Sequence, residues 1–475
     1  MLPMLGEAAR ALWARRGASQ IAAPLAAASL ASSSPVWAQA EEARTSSVST
    51  ARAGEPIPDI ATLVRRSYQH AADNMASSAE ELRSAADYRG RWMKLLPSFT
   101  ASASYTRNQV EAVVRIPGPD GAVRSVVITP FDQWDATLKL GIPLVDYSLY
   151  QGSASASEVH KAAQADVVAT RQDVAERVIS AYYAAVGGLA LEQSTVEAVG
   201  VAEENLAVVS ARGDSGLASD LDVERARAAV AERQQDVASA QLTTLQGLRR
   251  LETLTGWSPR QRLAPSELRD DGGPDSPLQH WLAGVRDQPG LKAASHRVRA
   301  AEAQENVALG AYIPRLEGIA AERFTNAVGF GASPVWSIGA TATWRFELGA
   351  LSELASAAAS TRAAHAERLR VERDIAERIA NEWDQVQAEI ARLRATRAQA
   401  HAARTAAQVA AARYRAGTST QLDVLQANRD LLSSDVAHIR AIVDLARARA
   451  TLRLLSTGLA AFEQSSALPS PTGVR

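Results

Sequence analysis

Short segments that alternate strictly between apolar and polar residues interrupt a chain of mostly helical periodicity. In the segment that starts at Ala136 every second side chain is apolar, and the segment that starts at Ile338 alternates in the same way. A period of two predicts β-strands whose two faces meet different environments. We expect strands near 98–110, 126–144, 315–328 and 335–346, the third of them with an ambiguous phase.

The intervening pattern predicts unusually long helices. No proline occurs from Ser153 to Arg212, and the apolar residues between them recur at steps of seven, four and three. From Leu422 to Ala450 a heptad spacing is interrupted only by Arg429. About sixty helical residues extend roughly 90 Å. Taken alone, such helices are also compatible with a structural coiled coil.

The chain contains an internal repeat. Leu96-Pro97 corresponds to Ile313-Pro314, Trp134 corresponds to Trp336, and each half predicts two strands followed by a turn between two long helices. The domain prediction is therefore a first repeat at 59–256 (a helix at 59–95, two strands and a helical hairpin at 150–256), a Pro/Gly-rich join at 257–290, a second repeat at 291–458 (a helix, two strands and a hairpin at 349–458) and a disordered tail at 459–475.

The first forty residues predict a cleaved signal peptide. Arg10, Arg15 and Arg16 precede a short apolar run, and Ala38-Gln39-Ala40 offers a cleavage site. Because the run is too short to span a membrane, export is favoured over an N-terminal anchor. We expect residues 1–40 to be removed and a linker at 41–58 to follow.

Composition excludes several classes of function. The 475 residues include 51 Lys and Arg against 52 Asp and Glu, which gives no reason to expect a nucleic-acid partner. The absence of cysteine excludes disulfides, a thiol nucleophile and a lipidated N-terminal cysteine. The seven histidines lack metal-ligand spacing, and Gly329-Phe330-Gly331 is not followed by a P-loop lysine. We therefore expect no metal, no cofactor and no enzymatic activity.

Four strands are too few for a membrane β-barrel, because the smallest such barrels have about eight. Alternation alone is more typical of a half-buried sheet in a soluble protein. Together with export, the repeat and the long helices, it favours strands that several copies contribute to one barrel. No later stretch of the chain is apolar enough to predict a transmembrane helix.

The turns between the long helices have matching residues. Each contains a glycine that can end a helix, a hydroxyl residue that can cap the next helix and an aspartate in the first turn of that helix. These residues are Gly216, Ser219 and Asp222 in the first turn, and Gly417, Thr420 and Asp423 in the second.

With these turns the sequence resembles the TolC / outer membrane efflux protein family, whose tips read much like Gly417-Thr418-x-Thr420-x-x-Asp423-Val424-Leu425-x-Ala427. The resemblance implies an α+β membrane protein in the outer membrane. Three chains would give a twelve-stranded β-barrel, four strands each, that continues into a long α-helical coiled-coil barrel in the periplasm. It also implies that the tips dock a periplasmic adaptor through Gly216, Leu217, Ser219, Gly417, Thr418 and Thr420.

The resemblance further implies a gate at the tips. Asp423 matches one aspartate of a ring at the narrowest point, whereas Gln426 stands in place of a second. Our hypothesis is that three copies of Asp423 attract cations and raise one another's pKa. The alternative is that Asp423 only caps its helix.

The closing contacts of the gate should differ from the family pattern. Asp222 and Tyr414 match two partners of a closing hydrogen bond, but Ser419 stands where an arginine completes that network. We expect Arg413 or Arg415 to take the place of that arginine.

The implied function is the exit duct of a tripartite export system, with an adaptor and an inner-membrane ABC exporter or proton-driven pump. The missing lipidation cysteine favours type I secretion of a protein toxin, such as an RTX haemolysin or adenylate cyclase-haemolysin. One alternative is a duct for drug efflux. The alternative of another class is an exported coiled-coil structural or adaptor protein without a pore. The segment 111–126 is expected to be an extracellular loop.

Overall fold

The computed structural model describes residues 57–117, 122–259, 275–329 and 331–466. All of them belong to one compact unit. The predicted signal peptide, most of the linker, part of the join and the end of the tail lie outside these residues. The helices are α1 (Ile60–His70), α2 (Ala72–Met93), α3 (Tyr147–Asp214), α4 (Asp220–Thr255), α5 (Leu278–Leu282), α6 (Pro289–Leu309), α7 (Gly349–Arg415), α8 (Gln421–Thr457) and α9 (Leu459–Ser466). The strands are β1 (Ser98–Arg107), β2 (Ala112–Pro117), β3 (Val123–Thr129), β4 (Asp132–Val145), β5 (Arg315–Thr325) and β6 (Val335–Thr343).

Strands and helices follow the same spatial order. The sheet has the order β1-β4-β5-β6 with antiparallel neighbours. The helices attached to these strands pack as α2-α3-α6-α7, and further along their length as α4-α3-α8-α7. Each strand therefore continues into a helix at the corresponding place of a helical layer.

Close packing sets the spacing between α3 and α4. A Cβ atom on Gly188 of α3 would lie 2.8 Å from the backbone of Thr244, and one on Gly247 of α4 would lie 2.8 Å from the backbone of Ala185. Glycine lowers helix propensity, so its presence at these positions reflects contact between the two backbones. In the first repeat, α3 and α4 thus form a closely packed helical hairpin.

The main apolar cores lie midway along α3 and α7, against the C-terminal parts of α4 and α8. One cluster joins α1, α3, α4 and α9 around Leu63, Val178 and Leu251, and another joins α5, α7 and α8 around Ile379 and Leu452. A smaller cluster lies at the turns. Helix burial is therefore greatest at the middle of the molecule.

The predicted helix at 59–95 is interrupted. Ala71 is extended and buried, and it separates α1 from α2. The side-chain amide of Asn74 donates a hydrogen bond of 2.9 Å to the carbonyl of Ser67. The same carbonyl accepts a hydrogen bond from the N–H of Ala71 at 2.9 Å, so the two bonds together fix the chain at the break between α1 and α2.

The disorder predicted for 459–475 is wrong for its first part. Residues Leu459–Ser466 form α9, because Phe462 is buried in the central cluster and Tyr68 donates a hydrogen bond to Glu463. The remaining residues lie outside the described range.

The segment predicted as a loop at 111–126 is largely a β-hairpin. Strands β2 and β3 pair antiparallel outside the main sheet, with Val114 opposite Val126 and Ile116 opposite Arg124. The β-branched residues explain this pairing. The described chain thus has six strands rather than four, although only four share the main sheet.

The join is fixed to the helices. The indole N–H groups of Trp281 and Trp383 both donate to the carbonyl of Ser276, at 3.2 and 3.0 Å. Arg449 forms an ion pair of 2.8 Å with Asp275. Among the described residues, no helix combines the length and apolar character needed to cross a membrane.

Candidate functional site

The turns after α3 and α7 have the same backbone geometry. Gly216 and Gly417 adopt φ angles of 69° and 77°. The N–H of Leu217 donates to the carbonyl of Arg212 at 2.8 Å, and the N–H of Thr418 donates to that of Arg413 at 2.9 Å. This is the hydrogen-bond pattern of a Schellman motif, which requires the left-handed glycine. The repeat therefore extends to individual hydrogen bonds.

The next helices begin with matching capping boxes. In α8 the backbone N–H and hydroxyl of Thr420 donate to Asp423 Oδ2, both at 2.8 Å, and the N–H of Asp423 donates to the Thr420 hydroxyl at 3.3 Å. Ser219 and Asp222 repeat the arrangement in α4. The backbone and hydroxyl hydrogen bonds from Thr420 lower the pKa of Asp423. Asp423 thus completes the capping box of α8 and lies at an exposed position, an arrangement that is compatible with the ring hypothesis and with its alternative.

Gln426 lies one turn further along α8 on an exposed position. Its amide donates to Asp430 at 2.9 Å. The predicted ring residues Asp423 and Gln426 therefore lie on an accessible stretch of α8. Their position relative to other copies of the chain remains a prediction.

An arginine that the sequence analysis did not select connects the two hairpins. The Tyr414 side chain is only 7% exposed, and the Arg212 guanidinium lies over its ring at 4.6 Å. Arg212 also donates to the Tyr414 carbonyl at 2.5 Å. A cation near the C-terminus of α7 complements the helix dipole. The internal repeat could have identified Arg212, because it corresponds to Arg413, which was one of the two expected gate arginines.

The other predicted gate residues have local partners. Asp222 contacts Ser219 and, at 3.7 Å, Arg225 rather than Tyr414. The Ser419 hydroxyl donates to the carbonyl of Ala410 at 3.4 Å, and Arg415 donates to its own helix. Within one chain, the arginine that contacts Tyr414 is therefore Arg212, and the substitution of Arg413 or Arg415 for the missing gate arginine stays a prediction.

The predicted docking residues lie at exposed positions: Gly216, Leu217, Ser219, Gly417, Thr418 and Thr420. Leu217 is 71% exposed. Leu221 and Leu422, which occupy equivalent positions in the two repeats, are each 58% exposed. Sequence reasoning missed these last two leucines, although their equivalence in the repeat marks them. The tips thus present apolar side chains around polar caps.

The sheet separates apolar from polar side chains. Residues opposite one another in an antiparallel sheet share a face. One such row consists of Phe99, Leu140, Ala320 and Ile338. The aromatic residues Tyr105, Trp134, Phe324 and Trp336 lie on the same face near one end of the sheet. Most of this face is exposed in the single chain.

The opposite face carries paired charges. Asp135 of β4 and Arg323 of β5 are 2.5 Å apart, and Lys139 and Glu317 are 3.8 Å apart. Threonine and serine occupy much of the remaining face. The two faces thus have the different chemistry that the alternation predicted.

Comparison with known proteins identifies the family. The profile described as outer membrane efflux protein matches residues 63–257 and 286–458. Members of this family are channel proteins rather than enzymes. Among the described residues, no group of three or more His, Asp or Glu side chains is arranged to hold a metal ion.

Individual proteins are similar over shorter or longer ranges. Protein CyaE of Bordetella pertussis is 30% identical over 167 residues, which cover 34% of this chain and 35% of CyaE. The probable efflux pump outer membrane protein TtgC of Pseudomonas putida is 26% identical over 236 residues, or 49% of this chain and 47% of TtgC. The matches thus span a third to a half of these relatives.

The fold also matches solved structures. The outer-membrane channel OprN superposes with a TM-score of 0.69 at 24% identity, covering 88% of this chain and 95% of OprN. The chain belongs to the outer membrane efflux protein family, and it is accordingly an outer-membrane protein whose long helices lie in the periplasm.

Proposed function

We propose that the protein is the outer-membrane exit duct of a tripartite export system. The proposal rests on the shared spatial order of strands and helices. Because each strand continues into a helix at the corresponding place, one chain can form a continuous wall that runs from a sheet in the membrane into a helical tunnel in the periplasm. The polar face with its paired charges would line water, and the apolar face would contact lipid.

A homotrimer would supply the strands that close the sheet into a barrel. Strands β1 and β6 are the edges of the four-stranded sheet and pair with no further strand among the described residues. Open edges are not tolerated in lipid, because their backbone N–H and C=O groups would lack partners. Three chains would contribute twelve strands to one closed barrel, in agreement with the family resemblance.

The tips serve as gate and docking surface. Three copies of Asp423 form a ring at the periplasmic entrance, with Gln426 beside it, and Arg212 holds Tyr414 where the two hairpins meet. Asp222 and Ser419 support the turns locally. A cavity of about 320 Å³ with both apolar and charged walls, among them Val208, Ala411, Tyr414 and Arg415, would receive side chains of a periplasmic adaptor.

An inner-membrane partner would supply the energy for export and deliver the cargo to the duct. An ABC exporter or a proton-driven pump would supply the energy. The cargo we favour is a protein toxin, such as an RTX haemolysin or adenylate cyclase-haemolysin, exported by type I secretion, because the chain lacks the cysteine needed for lipidation. Similarity to TtgC, named as a probable efflux pump protein, favours drug or small-molecule efflux as the second candidate.

Reconstitution tests the duct itself. The purified protein should migrate as an oligomer from outer-membrane fractions and should conduct ions in planar bilayers. A protein that remains in the soluble periplasm and gives no conductance would instead be a coiled-coil structural or adaptor protein.

A gene deletion distinguishes the cargo. Loss of a large secreted protein from the culture supernatant, with unchanged drug sensitivity, supports type I secretion. Raised sensitivity to solvents or antibiotics with an unchanged set of secreted proteins supports efflux. Complementation with the intact gene is the control.

A further inference from the structure

A basic cavity of about 430 Å³ lies between α6, α7 and a short 3₁₀ segment, Ala283–Asp287, that precedes α6. Four cationic side chains from these three elements form its walls. They are Arg286, Lys292, Arg299 and Arg368. The cavity lies far along the chain from both tips and contains none of the predicted gate or docking residues.

Positive charge exceeds negative charge in the walls. Glu372 is the acidic residue among the lining side chains, and it lies 3.3 Å from Arg368. Two carboxylates that do not line the cavity neutralise part of the remaining positive charge. Asp287 lies 3.4 Å from Lys292, and Glu158 lies 3.1 Å from Arg299.

Arg286 has no such counter-charge. It forms no ion pair with any described residue, and it lines the cavity together with Arg368. Like charges gathered in one concavity repel each other, and an anion between them removes that repulsion. His296, also in the wall, is occupied by its contact of 2.8 Å with Glu158.

The chemistry of the walls selects the kind of anion. Guanidinium groups donate paired hydrogen bonds to phosphate oxygens, and groups from different directions can satisfy different oxygens of one tetrahedral anion. The lysine adds a mobile charge to this set. We propose that this cavity binds a compact polyvalent oxyanion of the phosphate class, held between Arg286 and Arg368 with Lys292 and Arg299 beside it.

Two sources share this chemistry, namely free phosphate and a phosphate ester on a larger molecule. Titration calorimetry on the purified full-length protein in detergent, with inorganic phosphate in one arm and glycerol phosphate in the other, separates them at matched ionic strength. Saturable heat with both identifies free phosphate as sufficient, and heat with the ester alone identifies an esterified ligand. Sodium chloride replaces both anions in the reference titration.

Substitutions test the location. We expect Arg286→Ala and Arg368→Ala to weaken binding at least tenfold. Arg370→Ala is the matched control on α7, because Arg370 is exposed and pairs with Glu367 and Asp374 instead of lining the cavity. Glu372→Gln should strengthen binding several-fold because it removes the competing carboxylate, an effect that loss of folding does not produce.

Several results would overturn the assignment. They are the absence of saturable heat with either anion, equal heat with chloride, unchanged binding in both arginine variants, or weaker binding in Glu372→Gln. Thermal unfolding of each variant in phosphate-free buffer shows that the folded state is the one being titrated.

Discussion

The guanidinium carbon of Arg212 lies 4.6 Å from the centre of the Tyr414 ring, although 202 residues separate the two positions. The contact joins the end of α3 to the end of α7. It is therefore a direct connection between the two helical hairpins at their tips.

Removing this connection should loosen the tips. Arg212→Ala removes a cation–π contact of about 1–2 kcal/mol and the hydrogen bond to the Tyr414 carbonyl. We expect a several-fold rise in single-channel conductance, and Arg212→Lys should retain part of the closed behaviour. Arg413→Ala is the control at the corresponding position of the other turn. Equal conductance of the Arg212→Ala and wild-type channels would exclude this role.

Asp423 and Asp222 cap equivalent helices, so they form a matched pair for testing the proposed ring. Asp423→Ala should reduce cation selectivity and block by multivalent cations, because the carboxylates of the proposed ring are lost. Asp222→Ala removes the same kind of cap and should leave selectivity unchanged. If both variants retain the wild-type selectivity, Asp423 acts as a cap alone.

The cap of α8 should weaken in acid. Hydrogen bonds from Thr420 lower the pKa of Asp423, so the folded state favours the carboxylate. Its stabilising contribution is present above the pKa of an unfolded aspartate, about 4, and is lost as pH falls through the lower pKa of the folded state. Hydrogen-exchange protection of the Thr420 and Asp423 amides, corrected for the intrinsic rate, should fall over this range.

Asp423→Asn provides the comparison for this titration. An asparagine keeps an acceptor for the Thr420 N–H but does not titrate. Its protection should therefore be independent of pH, and an identical pH dependence in both proteins would assign the effect to another group.

The glycine pair between α3 and α4 should be intolerant of added atoms. Gly188→Ala places a Cβ atom 2.8 Å from the Thr244 backbone, so we expect a loss of about 1–3 kcal/mol in the free energy of unfolding. Gly200→Ala, on the same helix, has no atom within 4 Å and should be neutral or stabilising by up to about 1 kcal/mol. Chemical denaturation measures both, and equal stability would mean that the helices can separate without cost.

Local chemistry made the turns predictable. In contrast, the pattern of β5, the third of the four predicted strands, did not show which of its side chains share a face. In β5 the acidic Glu322 lies in the same row as Leu138 and Trp336 on the apolar face, while Ile319 lies on the polar face. These two exceptions cancel the alternation, so the phase of β5 becomes visible only through its pairing partners.

Other features depend on contacts that no local pattern contains. The break at Ala71 is stabilised by Asn74 and by packing against α3, and α9 is ordered by the burial of Phe462. Arg212 has the sequence context of any arginine near a helix end. Its role follows from the meeting of two hairpins that are distant in the chain.

The junction of β4 and β5 has a consequence for the time course of folding. It includes the pairing of Asp135 with Arg323, which lie 188 residues apart, and the whole first hairpin is synthesised between them. Contacts of such large sequence separation form slowly, while helical hairpins form from nearer residues. We expect the periplasmic helices to be structured early and the sheet to be completed late, as the step that commits the chain to the membrane.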